Sequence, residues 1–277
     1  MKKVLGVLLT LVLCLGLTAC GGTDDSGQGS TEVSGNVSLS GSTSMEKFVN
    51  AIKEAIVEDY PNLVLEPQFT GSSAGLEAVL AGTADIGNSS RGLKDEEKSK
   101  GLEENIVAID GIAIITHKSN KVDNLTTDQL KKIYTGEITN WSEVGGDDQA
   151  IVVMGREAGS GTRGAFEEIL EIEDACKYAQ ELNETGAVVA KVGETEGAIG
   201  YISLDNITET VKALKLDDVE ANEDTVKDGS YTLQRPFVMA TKGKISEQSK
   251  EVKAIFEFIE SEKGQEVLKA VGLVSPK

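Results

Sequence analysis

Along most of the chain, short apolar runs alternate with stretches whose apolar residues recur every three or four positions. Runs of the first kind mark strands, and the second spacing marks amphipathic helices. Val37-Ser38-Leu39-Ser40 predicts a strand. Met45, Phe48, Val49, Ile52 and Ile56 predict the helix after it, closed by Pro61. Leu63 to Phe69 reads as the next strand, and Leu76, Val79 and Leu80 as a helix stopped by Gly82. Ala84-Asp85-Ile86-Gly87 predicts a short strand leading to Asn88-Ser89-Ser90-Arg91. Ile106 to Thr116 predicts a long strand. The helix beyond it starts at Thr126, where Gln129 completes a capping box, and ends near Gly136. Further strands are predicted at Ile151 to Met154, Gly197 to Ile202 and Phe237 to Ala240. Phe166, Ile169 and Leu170 mark one more helix, and Val252, Ile255, Phe256 and Ile259 a terminal one. This alternation means α/β architecture.

The N-terminus does not fit that pattern. Lys2 and Lys3 precede a mostly apolar run from Val4 to Leu17, too short for a membrane span and shaped like a secretory signal. It ends in Leu17-Thr18-Ala19-Cys20, which fits a bacterial lipoprotein cleavage site. Residues 1–19 are therefore expected to be a lipoprotein signal peptide, and Cys20 the lipidated residue that anchors the chain to the membrane. The expected location is the extracytoplasmic face of the cell membrane. Residues 20–35 comprise that cysteine and a flexible tether rich in Gly, Ser, Thr and Asp. Cys14 would leave with the signal, so Cys176 would be the one free thiol and no internal disulfide could form. Cys176 reads as a buried helix residue, with no histidine nearby in sequence to activate it.

Formal net charge is −19, and loss of Lys2 and Lys3 makes the mature chain two units more negative. Nucleic-acid binding, which needs a basic face, is excluded as an expectation. An anion ligand is not, because long-range charge is screened within about 10 Å at ordinary salt and local donors decide binding. The single histidine, His117, argues against His-rich metal sites and imidazole catalysis. No metal, cofactor or catalytic residue is expected.

Four segments share one chemistry. Ser42-Thr43-Ser44, Ser72-Ser73, Ser89-Ser90 and Ser160-Gly161-Thr162 each follow a strand and mostly open a helix. Each offers hydroxyls and backbone N–H groups, and helix N-termini carry unsatisfied donors and partial positive charge. Converging on one point, they would make an anion site beyond the carboxyl ends of the strands. Any one of them alone is an ordinary helix cap. Arg156 adds a planar cation four residues before Ser160, suited to a tetrahedral oxyanion. Arg91 and Arg163 adjoin Ser90 and Thr162, either as site charges or as solvated surface residues. Gly71-Ser72-Ser73-Ala74-Gly75 also matches the G-x-S-x-G elbow of serine hydrolases, with Ser73 as nucleophile and His117 as the available base. Gly159-Ser160-Gly161-Thr162 lacks the lysine of a P-loop.

These segments, in order, resemble the phosphate-specific transport (Pst) substrate-binding proteins of the periplasmic-binding-protein superfamily. The carriers are Gly41-Ser42-Thr43, Gly71 to Gly75, Ala84 to Gly87, Tyr134-Thr135-Gly136-Glu137-Ile138-Thr139-Asn140-Trp141, Arg156 to Thr162 and Gly197-Ala198-Ile199-Gly200-Tyr201. The resemblance implies a type II two-lobed fold, each lobe a sheet flanked by helices, joined by two crossover strands. Lobe 1 would be 36–115 plus 236–277 and lobe 2 116–235, with crossings near Ile114 to Thr116 and Arg235 to Val238. It implies inorganic phosphate as ligand, held by Thr43, Ser44, Ser72, Ser90, Arg156, Ser160, Gly161 and Thr162. Ser44 and Gly161 would contribute N–H groups, and Arg156 the main charge. Many family members carry an aspartate where this chain has Ser90, which bears on selectivity against sulfate or molybdate. The implied partners are the permease and ATPase subunits of an ABC importer, served by a monomer.

Overall fold

A computed structural model of the chain describes residues 33–276. The leader, Cys20 and most of the tether lie outside them. β1 (Ser34–Gly41) leads through a 3-10 turn (Thr43–Met45) into α1 (Glu46–Ala55). β2 (Asn62–Phe69), α2 (Ser72–Ala81), β3 (Ile86–Ser89), α3 (Asp95–Ser99) and β4 (Leu102–Glu103) follow. The long β5 (Ile106–His117) precedes β6 (Asn124–Leu125), α4 (Thr127–Thr135), β7 (Val152–Arg156), α5 (Gly161–Ile169) and β8 (Gln180–Leu182). Next come α6 (Thr185–Glu194), β9 (Ala198–Ser203), β10 (Val211–Ala213), β11 (Lys215–Leu216) and α7 (Glu223–Lys227). β12 (Gln234–Lys242), α8 (Lys250–Glu260) and α9 (Glu262–Ala270) complete the described elements.

One sheet runs in the order β2-β1-β3-β12-β5-β9-β7-β8, with β10 also pairing β5 and β4 pairing β12. β1, β2 and β3 are mutually parallel, as are β7, β8 and β9, while β5 and β12 run antiparallel to their neighbours. β5 changes partner midway: Ile106 to Gly111 pair with β12, and Ile112 to Thr116 pair with β9. Two large apolar cores sit on either side of that change. The buried members of one come from Val37 to Ala108 and Phe237 to Leu273, those of the other from Ile112 to Leu233. Burial of such apolar faces, at about 25 cal/mol per Å², is what gathers the helices onto the sheet. The α/β architecture read from the periodicity is thus present, in two lobes.

Details differ from expectation. β3 begins at Ile86, not Ala84, because Asp85 turns back to accept from the Ser38 N–H and hydroxyl at 2.7 and 2.6 Å. β7 runs on through Arg156, so that residue ends a strand rather than starting a loop. The helix at Val252 is not the last: Ser261 closes α8 and its hydroxyl caps α9 by accepting from the Gly264 N–H. Cys176 lies in irregular chain beyond α5, half-buried, with its thiol pushed up to about 11 mainly by burial. β8 and α6 had no counterpart in the sequence reading. The capping box at Thr126 and Gln129 and the Gly136 helix stop are as expected. Trp141 and Gly197 form a scaffold contact, the indole N–H donating to the Gly197 carbonyl at 2.9 Å.

The Gly71 to Gly75 segment shows why a glycine is needed where α2 meets β1. A Cβ on Gly75 would lie 2.3 Å from the Ser40 carbonyl oxygen. Gly75→Ala should therefore lift α2 from β1 and lower stability by about 1–3 kcal/mol. Urea unfolding checks this, and an unchanged midpoint would refute the contact's importance.

Candidate anion-binding site

The eight residues singled out from the sequence meet between the two cores. The ends of β1, β3 and β7 and the turn after β2 deliver them. Ser42 caps the 3-10 turn, its hydroxyl accepting from the Ser44 N–H, and Ser160 caps α5, accepting from the Arg163 N–H. Ser72 is the first residue of α2 rather than its cap, which is Gly71. Ser90 opens no helix at all, since α3 starts only at Asp95. Thr43, Ser44, Ser72, Ser90, Arg156, Ser160 and Thr162 are all buried.

Hydroxyl contacts link them, some within one half and one across the two. Ser44 Oγ lies 2.7 Å from Thr162 Oγ1. Ser72 Oγ lies 3.3 Å from Ser90 Oγ and accepts from the Ser90 N–H at 3.2 Å. Ser42 donates to Ser90 Oγ at 2.9 Å. Gly161 sits against both serines: a Cβ there would be 2.4 Å from Ser72 Oγ and 2.8 Å from Ser90 Oγ. Only a residue without a side chain lets the α5 N-terminus come this close.

Arg156 is aimed by its surroundings. Nε donates to the Leu182 carbonyl at 3.0 Å, and Nη2 donates to the Asn183 carbonyl at 3.1 Å. Glu157 accepts from both nitrogens at 3.1 and 3.2 Å. Nη1 is left to face the hydroxyls, where it donates to Thr185 Oγ1 at 3.1 Å. The Arg156 N–H is anchored on the Tyr201 hydroxyl, which continues to Tyr178 and Glu167. A cation beside hydroxyls that can each donate or accept suits a tetrahedral oxyanion.

Arg91 is buried and Arg163 partly so, and neither is free. Arg91 makes two hydrogen bonds to Glu97 at 2.7 and 2.9 Å. Burial pushes the Glu97 carboxyl up, but the Arg91 hydrogen bonds and charge and the Lys94 N–H outweigh it and leave it below its ordinary value. Arg163 is held by Glu167 and Glu181 and donates to the Arg156 carbonyl. The hydrolase constellation is not assembled: His117 pairs with Ser119 at 2.7 Å, while Ser73 Oγ has Arg91 at 3.5 Å. No cluster of metal-ligating groups occurs among the described residues.

A family model of the PBP superfamily domain matches residues 26–263. The phosphate-binding protein PstS of Bacillus subtilis (strain 168) is 31% identical over 98% of this chain and 91% of its own length. The chain belongs to the PstS family. A putative phosphate ABC transporter substrate-binding protein from Clostridium perfringens, solved with bound phosphate, superposes with a TM-score of 0.85 at 42% identity, covering 88% of this chain and 100% of that one. An ABC-type phosphate transport receptor from Vibrio cholerae superposes at 0.72 with 33% identity, covering 87% and 100%. The two-lobed architecture is that of the periplasmic-binding-protein fold.

Beneath this cluster of the PstS-family chain lies a buried ion pair that sequence reasoning missed. Arg235 on β12 donates from Nε and Nη2 to Asp110 Oδ2 on β5 at 3.0 and 2.9 Å, and from Nη1 to the Ser90 carbonyl at 3.1 Å. Both side chains are almost wholly buried. Burial raises the Asp110 carboxyl, against the charge and hydrogen bonds of Arg235. The long apolar strand around Asp110 was a usable signal, since a lone acid there demands a partner.

Asp205 stands next to this pair. Its Oδ1 accepts from the Ser203 hydroxyl and the Asn206 amide, and Oδ2 has no partner. Burial first, then the charge of Asp110, push its carboxyl from 3.8 to about 7, against Ser203, Asn206 and Lys47. The folded chain therefore holds this proton more tightly than the unfolded chain. The stability from the neutral acid is complete below the unfolded value and is lost as pH rises through about 7. Asp205→Asn should gain in Tm relative to the unaltered protein as pH rises from about 4 to about 8. A Tm difference independent of pH would contradict this.

Proposed function

We propose that this chain captures inorganic phosphate between its two lobes, outside the cytoplasmic membrane, and hands it to an ABC importer without chemical change. The carrying observation is the buried cluster of Thr43, Ser44, Ser72, Ser90, Ser160 and Thr162, which Thr185 joins to Arg156 Nη1 through its contacts with Thr43 and Ser44. The bound phosphate of the Clostridium perfringens relative supports the choice of oxyanion. Ser90 would accept a hydrogen bond from the O–H of a protonated phosphate through a hydroxyl lone pair, a weaker filter against sulfate than a carboxylate.

The lobes are taken as 36–115 plus 236–277 and 116–235; the two separate cores support two lobes, and Ile112 and Ile114, packed in the second core, favour a first crossing nearer Gly111. Phosphate would hold the α5 N-terminus against Ser72 and Ser90, where it lies in this structure, and so keep the lobes closed. The closed monomer would then dock on permease subunits driven by ATPase subunits. Among the described residues no helix is long and apolar enough to cross a membrane. Retention at the membrane would rest on acylated Cys20.

Calorimetry on the protein lacking Met1 to Cys20 tests the ligand. Phosphate should bind with micromolar or tighter Kd, and Arg156→Ala should lose at least about 100-fold, since a charged group's hydrogen bonds and its charge go together. Sulfate or molybdate heat without phosphate heat would sink the assignment. For the anchor, Cys20→Ala should release the protein from cell membranes into the medium or soluble fraction. A Cys20→Ala protein that still sediments with membranes would remove lipidation from the proposal.

A further inference from the structure

Thr185 is the first residue of the ten-residue helix α6 and belongs to none of the four Ser/Thr loops. It is 2% exposed. Its Oγ1 lies 3.1 Å from Thr43 Oγ1 and 3.0 Å from Ser44 Oγ, and accepts from Arg156 Nη1 at 3.1 Å. Its N–H donates to Thr43 Oγ1 at 3.2 Å. One side chain thus touches three of the candidate phosphate residues, two on the turn after β1 and one at the end of β7.

The chemistry follows from who donates. Arg156 uses Nε and Nη2 on Leu182, Asn183 and Glu157, so Nη1 is the nitrogen turned toward the hydroxyl cluster. By accepting from Nη1, Thr185 Oγ1 keeps its own proton for donation into the cluster, and a charge-assisted bond on the oxygen makes that O–H a stronger donor. Glu184, at the N-cap of α6, makes no side-chain cap bond, and the first N–H of the helix, that of Thr185, points instead at Thr43 Oγ1.

We propose that Thr185 is a ligand-contacting residue, its hydroxyl donating a hydrogen bond to bound phosphate beside Thr43, Ser44 and Arg156. The inference rests on the phosphate reading above and extends the site to a fifth loop, the one between β8 and α6.

The test compares Thr185→Val, which keeps the β-branched shape without the hydroxyl, with Thr185→Ser, which keeps the hydroxyl. Full-length protein purified in detergent is titrated with inorganic phosphate, and Tm is measured without phosphate. Thr185→Val should weaken the Kd about 10- to 100-fold, the range for a hydrogen bond to a charged group. Thr185→Ser should stay within about threefold, because the donor is retained. Ligand-free Tm should fall modestly in Thr185→Val, which takes the acceptor from buried Arg156 Nη1, and change little in Thr185→Ser. An unaltered Kd in Thr185→Val, with the unaltered protein binding phosphate, would overturn the inference alone. A ligand-free Tm that falls in Thr185→Val, with Thr185→Ser failing to restore the Kd, would make the residue structural and also overturn it. No phosphate heat from the unaltered protein would overturn the phosphate reading, and the inference with it.

Discussion

A charge cut off from water needs a partner, and that requirement joins Asp110 on β5 to Arg235 on β12 where the two cores meet. Taking each ion out of water costs several kcal/mol, and leaving either one alone costs about 3–5 kcal/mol. Neither strand can shift without breaking the pair. The spare nitrogen of Arg235 holds the Ser90 carbonyl, and Asp110 Oδ1 accepts from the Leu204 N–H at 3.3 Å. One buried pair therefore sets the exit of β3 and the turn after β9. Lys47 and Asn206 extend the same polar seam, bonding the Asp205 and Ser44 carbonyls across the two halves.

This frame explains how so acidic a chain can hold an anion. Its net charge works against long-range attraction, but screening confines that effect to about 10 Å. At shorter range the site presents hydroxyls, N–H groups and one guanidinium. Arg91 and Arg163 lie close by yet spend their charge on Glu97, Glu167 and Glu181. Glu157 takes only part of that of Arg156, leaving Nη1 for the hydroxyls. The relatives' names and the bound phosphate of one solved neighbour fit a site of this kind.

Legibility varied along the chain for identifiable reasons. α4 was plain because its capping box and glycine stop are local signals, acting over three or four residues. α6 went unread: Val188, Val189 and Val192 have helical spacing, but Gly186 and Gly193 dilute it. With α6 went Thr185, although a threonine ahead of that spacing is a helix-start signal. Arg163 had a readable partner in Glu167, four residues on along α5, which went unused; Glu181, and Glu97 for Arg91, are named only by packing. The G-x-S-x-G match, weighed only as an alternative, has a packing origin. Its glycine answers to the Ser40 carbonyl at the β1–α2 contact, not to a catalytic elbow.

The sequence by itself determined the α/β alternation, the order of the longer strands and of α1, α2, α4, α5 and α8, the four Ser/Thr loops and Arg156 as the cation beside one of them. Periodicity and helix-end chemistry act within a few residues, so they survive without the fold. Only the tertiary structure decided that these loops share one point, that Thr185 joins them, and that Asp110 and Arg235 lie beneath. Those facts depend on the strand order β1-β3-β12-β5-β9-β7, which sets neighbours far apart in the chain side by side. An apolar pattern tells which face of a strand is buried; it does not tell which strand lies next to it.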